Sequence, residues 1–179
     1  LSNGEDLTIG VAPHSVRAVG RDDLEQLVAL AEEHDLVLHS HVSEQVRENH
    51  ECAREHGMTP LELFGAVGAT RRPRAMTAVH AIHLSDSDYE IVADQIVCAC
   101  PTTEADLGDG VVAASRLRRG GTRISLGSDS NSVIDLITEA RCLEMHERLV
   151  RQARLQNLHE DGRVATSLLD ALTIDGARS

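Results

Sequence analysis

A chain of 179 residues is long enough for one hydrophobic core, and 41% hydrophobic with 26% charged residues is the balance of a soluble globular protein. One Phe, one Tyr and no Trp leave that core to Leu, Val, Ile and Ala. The formal net charge of −12, with arginine as the only basic residue apart from histidine, argues against nucleic acid or an anionic membrane as partner and obliges any anionic substrate to find local arginines.

The pattern alternates strand and helix five times. Leu7 to His14 reads as a strand with Leu7, Ile9 and Val11 on one face. Asp22 and Glu25 have capping-box spacing for a helix striped by Leu24, Leu27, Val28 and Ala31. Leu36 to His41 is the second strand, with Val37, His39 and His41 on one face, and a helix follows over roughly 45–57. Thr59 can cap a short helix with Pro60 at its first position, running to about Val67. Met76 to His80 is the third strand, and Ser85-Asp86-Ser87-Asp88 opens a helix carrying Ile91 and Val92. Ile96 to Cys100 is the fourth, stopped by Pro101. Thr102 to Gly110 reads as a polar loop before a helix through Leu117. Arg123 to Asp129 is the fifth strand, followed by helices over about 135–153 and 164–172.

Such alternation means parallel strands joined by right-handed crossovers in an α/β fold. Small or polar residues share a parity with the terminal His or Asp, as the interior of a barrel below a polar mouth requires, so a partial (β/α)8 barrel of about five units is expected rather than an open doubly wound sheet. No linker interrupts the chain, which predicts a single domain over residues 1–179. The four cysteines (Cys52, Cys98, Cys100, Cys142) lack any Cys-x-x-Cys pair or framework spacing, and Cys98 and Cys100, in an apolar run, read as small buried hydrophobes. With no signal peptide and no 18-residue apolar span, a reducing, cytoplasmic setting is expected. The chain opens on Leu1 rather than Met, so it reads as a fragment.

In barrels of this kind the reactive groups stand at the C-terminal ends of strands. Those ends supply His14, His41, His80, the loop after Pro101, and Asp129. His41 and Asp129 are the candidate zinc ligands, Glu44 in His41-x-x-Glu44 the candidate proton shuttle, and His80 a group that could orient water or substrate. Alternatives stand beside them. His80 and His83, three apart, could cap a helix; Asp129 could be an N-cap; Arg17 is either a carboxylate clamp or a surface residue. His39 and His83 read as structural, and Glu104, Asp106 and Asp109 as a solvated loop.

His41-Val42-Ser43-Glu44-Gln45, Val79-His80-Ala81-Ile82-His83-Leu84 and Gly127-Ser128-Asp129-Ser130 together resemble the amidohydrolase superfamily. Ala12-Pro13-His14-Ser15-Val16-Arg17-Ala18-Val19 and the run from Cys100-Pro101-Thr102-Thr103-Glu104 to Leu107-Gly108-Asp109-Gly110 bring it closer still to the formimidoylglutamate deiminase family. The resemblance covers only the second half of that family's barrel, from about its fourth strand to its eighth, so the chain reads as truncated at both ends. It implies hydrolysis of N-formimino-L-glutamate to N-formyl-L-glutamate and ammonia in histidine degradation, with one Zn2+ per site, or iron. His41 and Asp129 would bind the metal, and Glu44 and Asp129 would move protons. His80 would touch the substrate near the metal, and His14 and Arg17 would hold its glutamate portion. The remaining ligands, a first-strand His-x-His, lie outside this chain, which alone should bind metal weakly and be inactive; the full-length protein would be a homodimer. Asp106 stands where Asn is expected and Asn131 where His is common. The rival readings are another amidohydrolase deaminase acting on a purine, pyrimidine or triazine ring, and a non-catalytic remnant or half of a split assembly.

Overall fold

The computed structural model describes residues 7–129 and 133–179. Five strands, β1 (Gly10–Val11), β2 (Val37–Val42), β3 (Met76–His80), β4 (Ile96–Ala99) and β5 (Arg123–Leu126), form one sheet in the order β1-β2-β3-β4-β5. Every pair is parallel. Between and after them run α1 (Arg21–Glu33), α2 (Val46–His56), α3 (Pro60–Ala66), α4 (Asp86–Ile91), α5 (Pro101–Leu107), α6 (Ala114–Arg119), α7 (Leu136–Arg151) and α8 (Val164–Leu172). The strand order advances one step at a time and never reverses. Right-handed crossovers between such strands lay all the connecting helices on one face of the sheet.

Register shows which face that is. Leu38 pairs with Met76 and Ser40 with Ala78; Ala78 then pairs with Val97, and Val97 with Ile124. All of these are buried, and the apolar ones join Leu24 and Val28 of α1, Leu61, Leu63 and Phe64 of α3, and Leu143 of α7 in one core. Each Leu, Ile, Val, Met or Phe among them contributes roughly 1.5–3 kcal/mol by leaving water. His39 and His41 alternate with them and stand half-buried on the other face.

The predicted boundaries hold closely for β3, α3, α4 and α8; the capping box expected at Ser85 and Asp88 is formed, and the expected Thr59 cap is completed into a box by Glu62. Four expectations fail. The strand expected over Leu7 to His14 pairs only at Gly10–Val11, because Pro13 has no N–H for the ladder; pairing resumes as a single bridge between Ser15 and His41. Asp22 caps nothing: α1 starts at Arg21 with Gly20 as N-cap, and Asp22 lies inside the first turn, where its charge faces the helix dipole. The polar stretch after Pro101 is a helix, α5, with Pro101 at its start and Gly108 in the left-handed conformation (φ 71°) at its end. β5 stops at Leu126, and the approach to Asp129 is irregular.

The caps that α5 and α6 lack locally come from α7. Cys100 and Ala113, at the two N-caps, offer no side-chain acceptor. Instead Glu139 accepts from the backbone N–H and the hydroxyl of Thr102, and Glu147 accepts from those of Ser115. Both glutamates are buried, and each answers the unpaired N–H groups and positive pole of a helix. Glu139→Ala is expected to lower the unfolding free energy by about 1–2 kcal/mol, read from the urea midpoint, because α5 loses the carboxylate that caps its first turn. An unchanged midpoint would show that the cap contributes nothing.

Candidate active site

Parallel strands end at a common rim, and the residues singled out in the sequence meet there. His14 follows β1, with its ring 4.8 Å from that of His41 near the end of β2. The His41 ring stacks on His80, at the end of β3, with centroids 5.5 Å apart. His80 is fully buried, and its Nε2 points between two carboxylates, Glu44 Oε1 at 3.8 Å and Asp129 Oδ2 at 3.9 Å. Arg17 Nη2 donates to the other oxygen of Glu44 at 2.5 Å. His14, Arg17, His41, Glu44, His80 and Asp129 therefore share one cluster. His39 lies apart, a layer deeper, bonded through Nε2 to Ser179 Oγ at 3.2 Å, and burial lowers its pKa. His83 is structural, its Nε2 donating to the Asp109 carbonyl at 2.8 Å.

His80 reaches the cluster against its parity. Strict alternation groups it with Met76 and Ala78, and it registers with Val42, on the helix-covered face. The backbone at His80 (φ 69°) and Ala81 (φ 50°) is left-handed, turning the ring to the rim. Ser43 (φ 49°), just before Glu44, and Asp129 (φ 49°) share that conformation. Left-handed backbone at non-glycine residues costs on the order of 1–3 kcal/mol each and gathers where function requires an awkward aim.

Hydrogen bonds fix each group. His41 Nδ1 donates to the His14 carbonyl at 2.7 Å, which leaves Nε2 with the free lone pair. The Glu44 backbone N–H donates to Glu48 Oε2 at 2.9 Å; Glu48 is buried, and burial raises its carboxyl above the usual range despite the nearby Arg17 guanidinium. The loop before Asp129 is held by Thr103 Oγ1 on the Ser128 carbonyl. Gly127 lets it lie against β4: a Cβ there would stand 3.2 Å from Cys98 Sγ and 3.3 Å from Cys100 Sγ. Both are free thiols, as are Cys52 and Cys142; Cys100 is buried as expected, and Cys98 half-buried.

Glu104 overturns the solvated-loop expectation. It is 2% exposed and accepts from Cys100 N at 2.8 Å and from His80 Nδ1 at 3.2 Å. Asp109 is half-buried as well, and burial raises its carboxyl pKa; Asp106 is exposed as expected. For His80, burial is the largest influence and pushes the pKa down, but the Glu104, Glu44 and Asp129 carboxylates together carry it above 6.5. The usable signal for Glu104 was the Pro101 to Gly108 bracket of a helix, which puts Glu104 four residues after Cys100, within reach of that residue's unpaired N–H.

The sequence model of the Amidohydrolase family matches residues 2–179. The chain belongs to the amidohydrolase family. The 5'-deoxyadenosine deaminase of Methanothermobacter thermautotrophicus is 31% identical over 179 residues, 97% of this amidohydrolase chain and 40% of that protein. The formimidoylglutamate deiminase of Pseudomonas aeruginosa is 32% identical over 177 residues, 96% of this chain and 38% of its own length. The crystal structure of an adenosine deaminase from Xanthomonas campestris with bound zinc superposes with a TM-score of 0.84 at 25% identity, covering 94% of this chain and 38% of that one. The amidohydrolase chain thus spans about two fifths of the length of the curated relatives it matches.

The cluster suits a divalent metal in its chemistry. It offers an imidazole nitrogen whose tautomer is fixed, a carboxylate, and a buried His80 Nε2 with no hydrogen-bond partner. Among the described residues, no three or more His, Cys, Asp or Glu side chains are arranged to enclose an ion. Ser130 and Asn131 lie outside the described residues. No helix among the described residues is long and apolar enough to cross a membrane.

Proposed function

We propose that this chain is the second half of a (β/α)8 barrel in a zinc-dependent deiminase that hydrolyses N-formimino-L-glutamate to N-formyl-L-glutamate and ammonia. The unreversed strand order with helices on one face supports the barrel. The observation that carries the substrate class is Arg17, a guanidinium at a rim otherwise built from histidines and carboxylates in a chain of net charge −12.

His41, through Nε2, and Asp129 would hold the zinc with ligands from outside this chain. When bound, zinc supplies hydroxide at neutral pH by lowering the pKa of water to about 7. Asp129 takes a proton from the attacking water as oxygen adds to the formimino carbon. Glu44, beside it at the rim, takes the other proton of the water and passes it to the formimino nitrogen, which leaves as ammonia once the proton held by Asp129 has followed. His80, steadied at Nδ1 by Glu104, directs Nε2 toward the reacting centre. His14 and Arg17 hold the glutamate carboxylates.

A second reading, a deaminase of an adenosine-type ring, is favoured by the near-equal likeness to 5'-deoxyadenosine deaminase. Arg17 separates the two. In the product of the complete gene loaded with zinc, Arg17→Ala is expected to raise KM for N-formimino-L-glutamate about 10–100-fold. An unchanged KM, or turnover of 5'-deoxyadenosine with none of N-formimino-L-glutamate, would move the assignment to the ring substrates.

A further inference from the structure

Arg17 stands at the rim already engaged. Its backbone N–H (3.2 Å) and Nε (3.4 Å) both approach Ser15 Oγ, a buried hydroxyl that also meets His14 Nδ1 at 2.9 Å. Its Nη2 spans to Glu44 Oε2, while Glu44 Oε1 faces His80 Nε2. One carboxylate, the one read above as the proton carrier, is thus tethered by the same guanidinium read as the clamp for the substrate.

The two duties compete. A guanidinium grips a carboxylate best with two parallel N–H groups in one plane. Arg17 turns Nε to Ser15 and Nη2 to Glu44, so its Nε–Nη2 edge is already occupied, and a carboxylate that forks onto this edge displaces Glu44 from Nη2. Its side chain is 27% exposed, open to the rim, whereas that of Glu44 is 10% exposed. The Glu44 backbone is fixed through Glu48, so losing the tether frees side-chain rotation alone.

We propose that Arg17 is a specificity-determining residue that acts on Glu44: a substrate carboxylate draws the guanidinium off Glu44 Oε2 and so releases the carboxyl that carries the proton. This rests on the carboxylated-substrate reading. The anion is then read twice, once in binding and once in turnover. A formamidine without a carboxylate binds while Glu44 stays tethered and turns over slowly, even at saturation.

The test is steady-state kinetics on the product of the complete gene with zinc, using N-formimino-L-glutamate and N-propylformamidine. The wild type is expected to show kcat about tenfold or more lower on N-propylformamidine, a loss in the step after binding. Arg17→Gln, with no charge to hold Glu44, is expected to raise kcat on N-propylformamidine about fivefold or more while raising KM for N-formimino-L-glutamate. Arg17→Lys keeps the charge but not the fork; it is expected to raise that KM and leave kcat on N-propylformamidine low. Equal wild-type kcat on the two formamidines overturns the release, and so does an Arg17→Gln kcat on N-propylformamidine that does not rise. No turnover of either formamidine by the wild type, with turnover of 5'-deoxyadenosine, instead removes the substrate reading and the release with it.

Discussion

Glu44→Gln, made in the product of the complete gene, should lower kcat by about 10²–10⁴-fold, the range for losing one general acid–base group, with zinc content unchanged. Gln has the same length and can still accept the Arg17 Nη2–H through its amide oxygen, so the rim keeps its shape. It cannot carry a proton between the attacking water and the departing nitrogen. Glu44 is not placed among the metal donors: its oxygens are directed at Arg17 and His80. Loss of turnover together with loss of zinc would move Glu44 into the donor set, and wild-type turnover would remove it from the mechanism.

Glu104→Ala is expected to lower stability by about 1–3 kcal/mol for each buried donor left without its acceptor, and to lower kcat as well. It strips the acceptor from two buried donors, Cys100 N–H and His80 Nδ1–H. Glu104→Gln can still accept from Cys100 and should retain most of the stability. The two variants separate through pH. The carboxylates facing His80 raise its pKa above 6.5 in the folded, metal-free protein. Protonated His80 therefore adds stability that is complete below the unfolded value, about 6.5, and is lost as pH rises through the folded pKa. Urea midpoints of the metal-free protein should fall over that interval, and Glu104→Gln should flatten the fall. A wild-type midpoint independent of pH there would show that His80 and Glu104 are not coupled.

What the sequence showed and what it hid divide along physical lines. Met76–His80, the Thr59 and Ser85 caps and Val164–Leu172 were legible because local chemistry decides them: a strand's apolar run, a hydroxyl three residues before a carboxylate, a helical stripe. The histidine ends of β2 and β3 were legible because parallel strands share one rim. Glu104, Glu48, Glu139 and Glu147 were not. A glutamate that serves as a buried cap looks in sequence like any solvated charge, and its partners can be distant, as Thr102 is from Glu139. His80 stands at the rim where the end of its strand predicts it, but its left-handed backbone, without a glycine to announce it, was not foreseeable. Nor was the Arg17–Glu44 pair, since nothing local links two residues that lie on successive strand ends.

Crystals of the complete gene product grown with zinc, measured at the zinc absorption edge, test the account most directly. It predicts one anomalous peak within about 2.0–2.2 Å of both His41 Nε2 and an Asp129 carboxylate oxygen. A fully loaded protein with its peak elsewhere, or bound by neither residue, would contradict it.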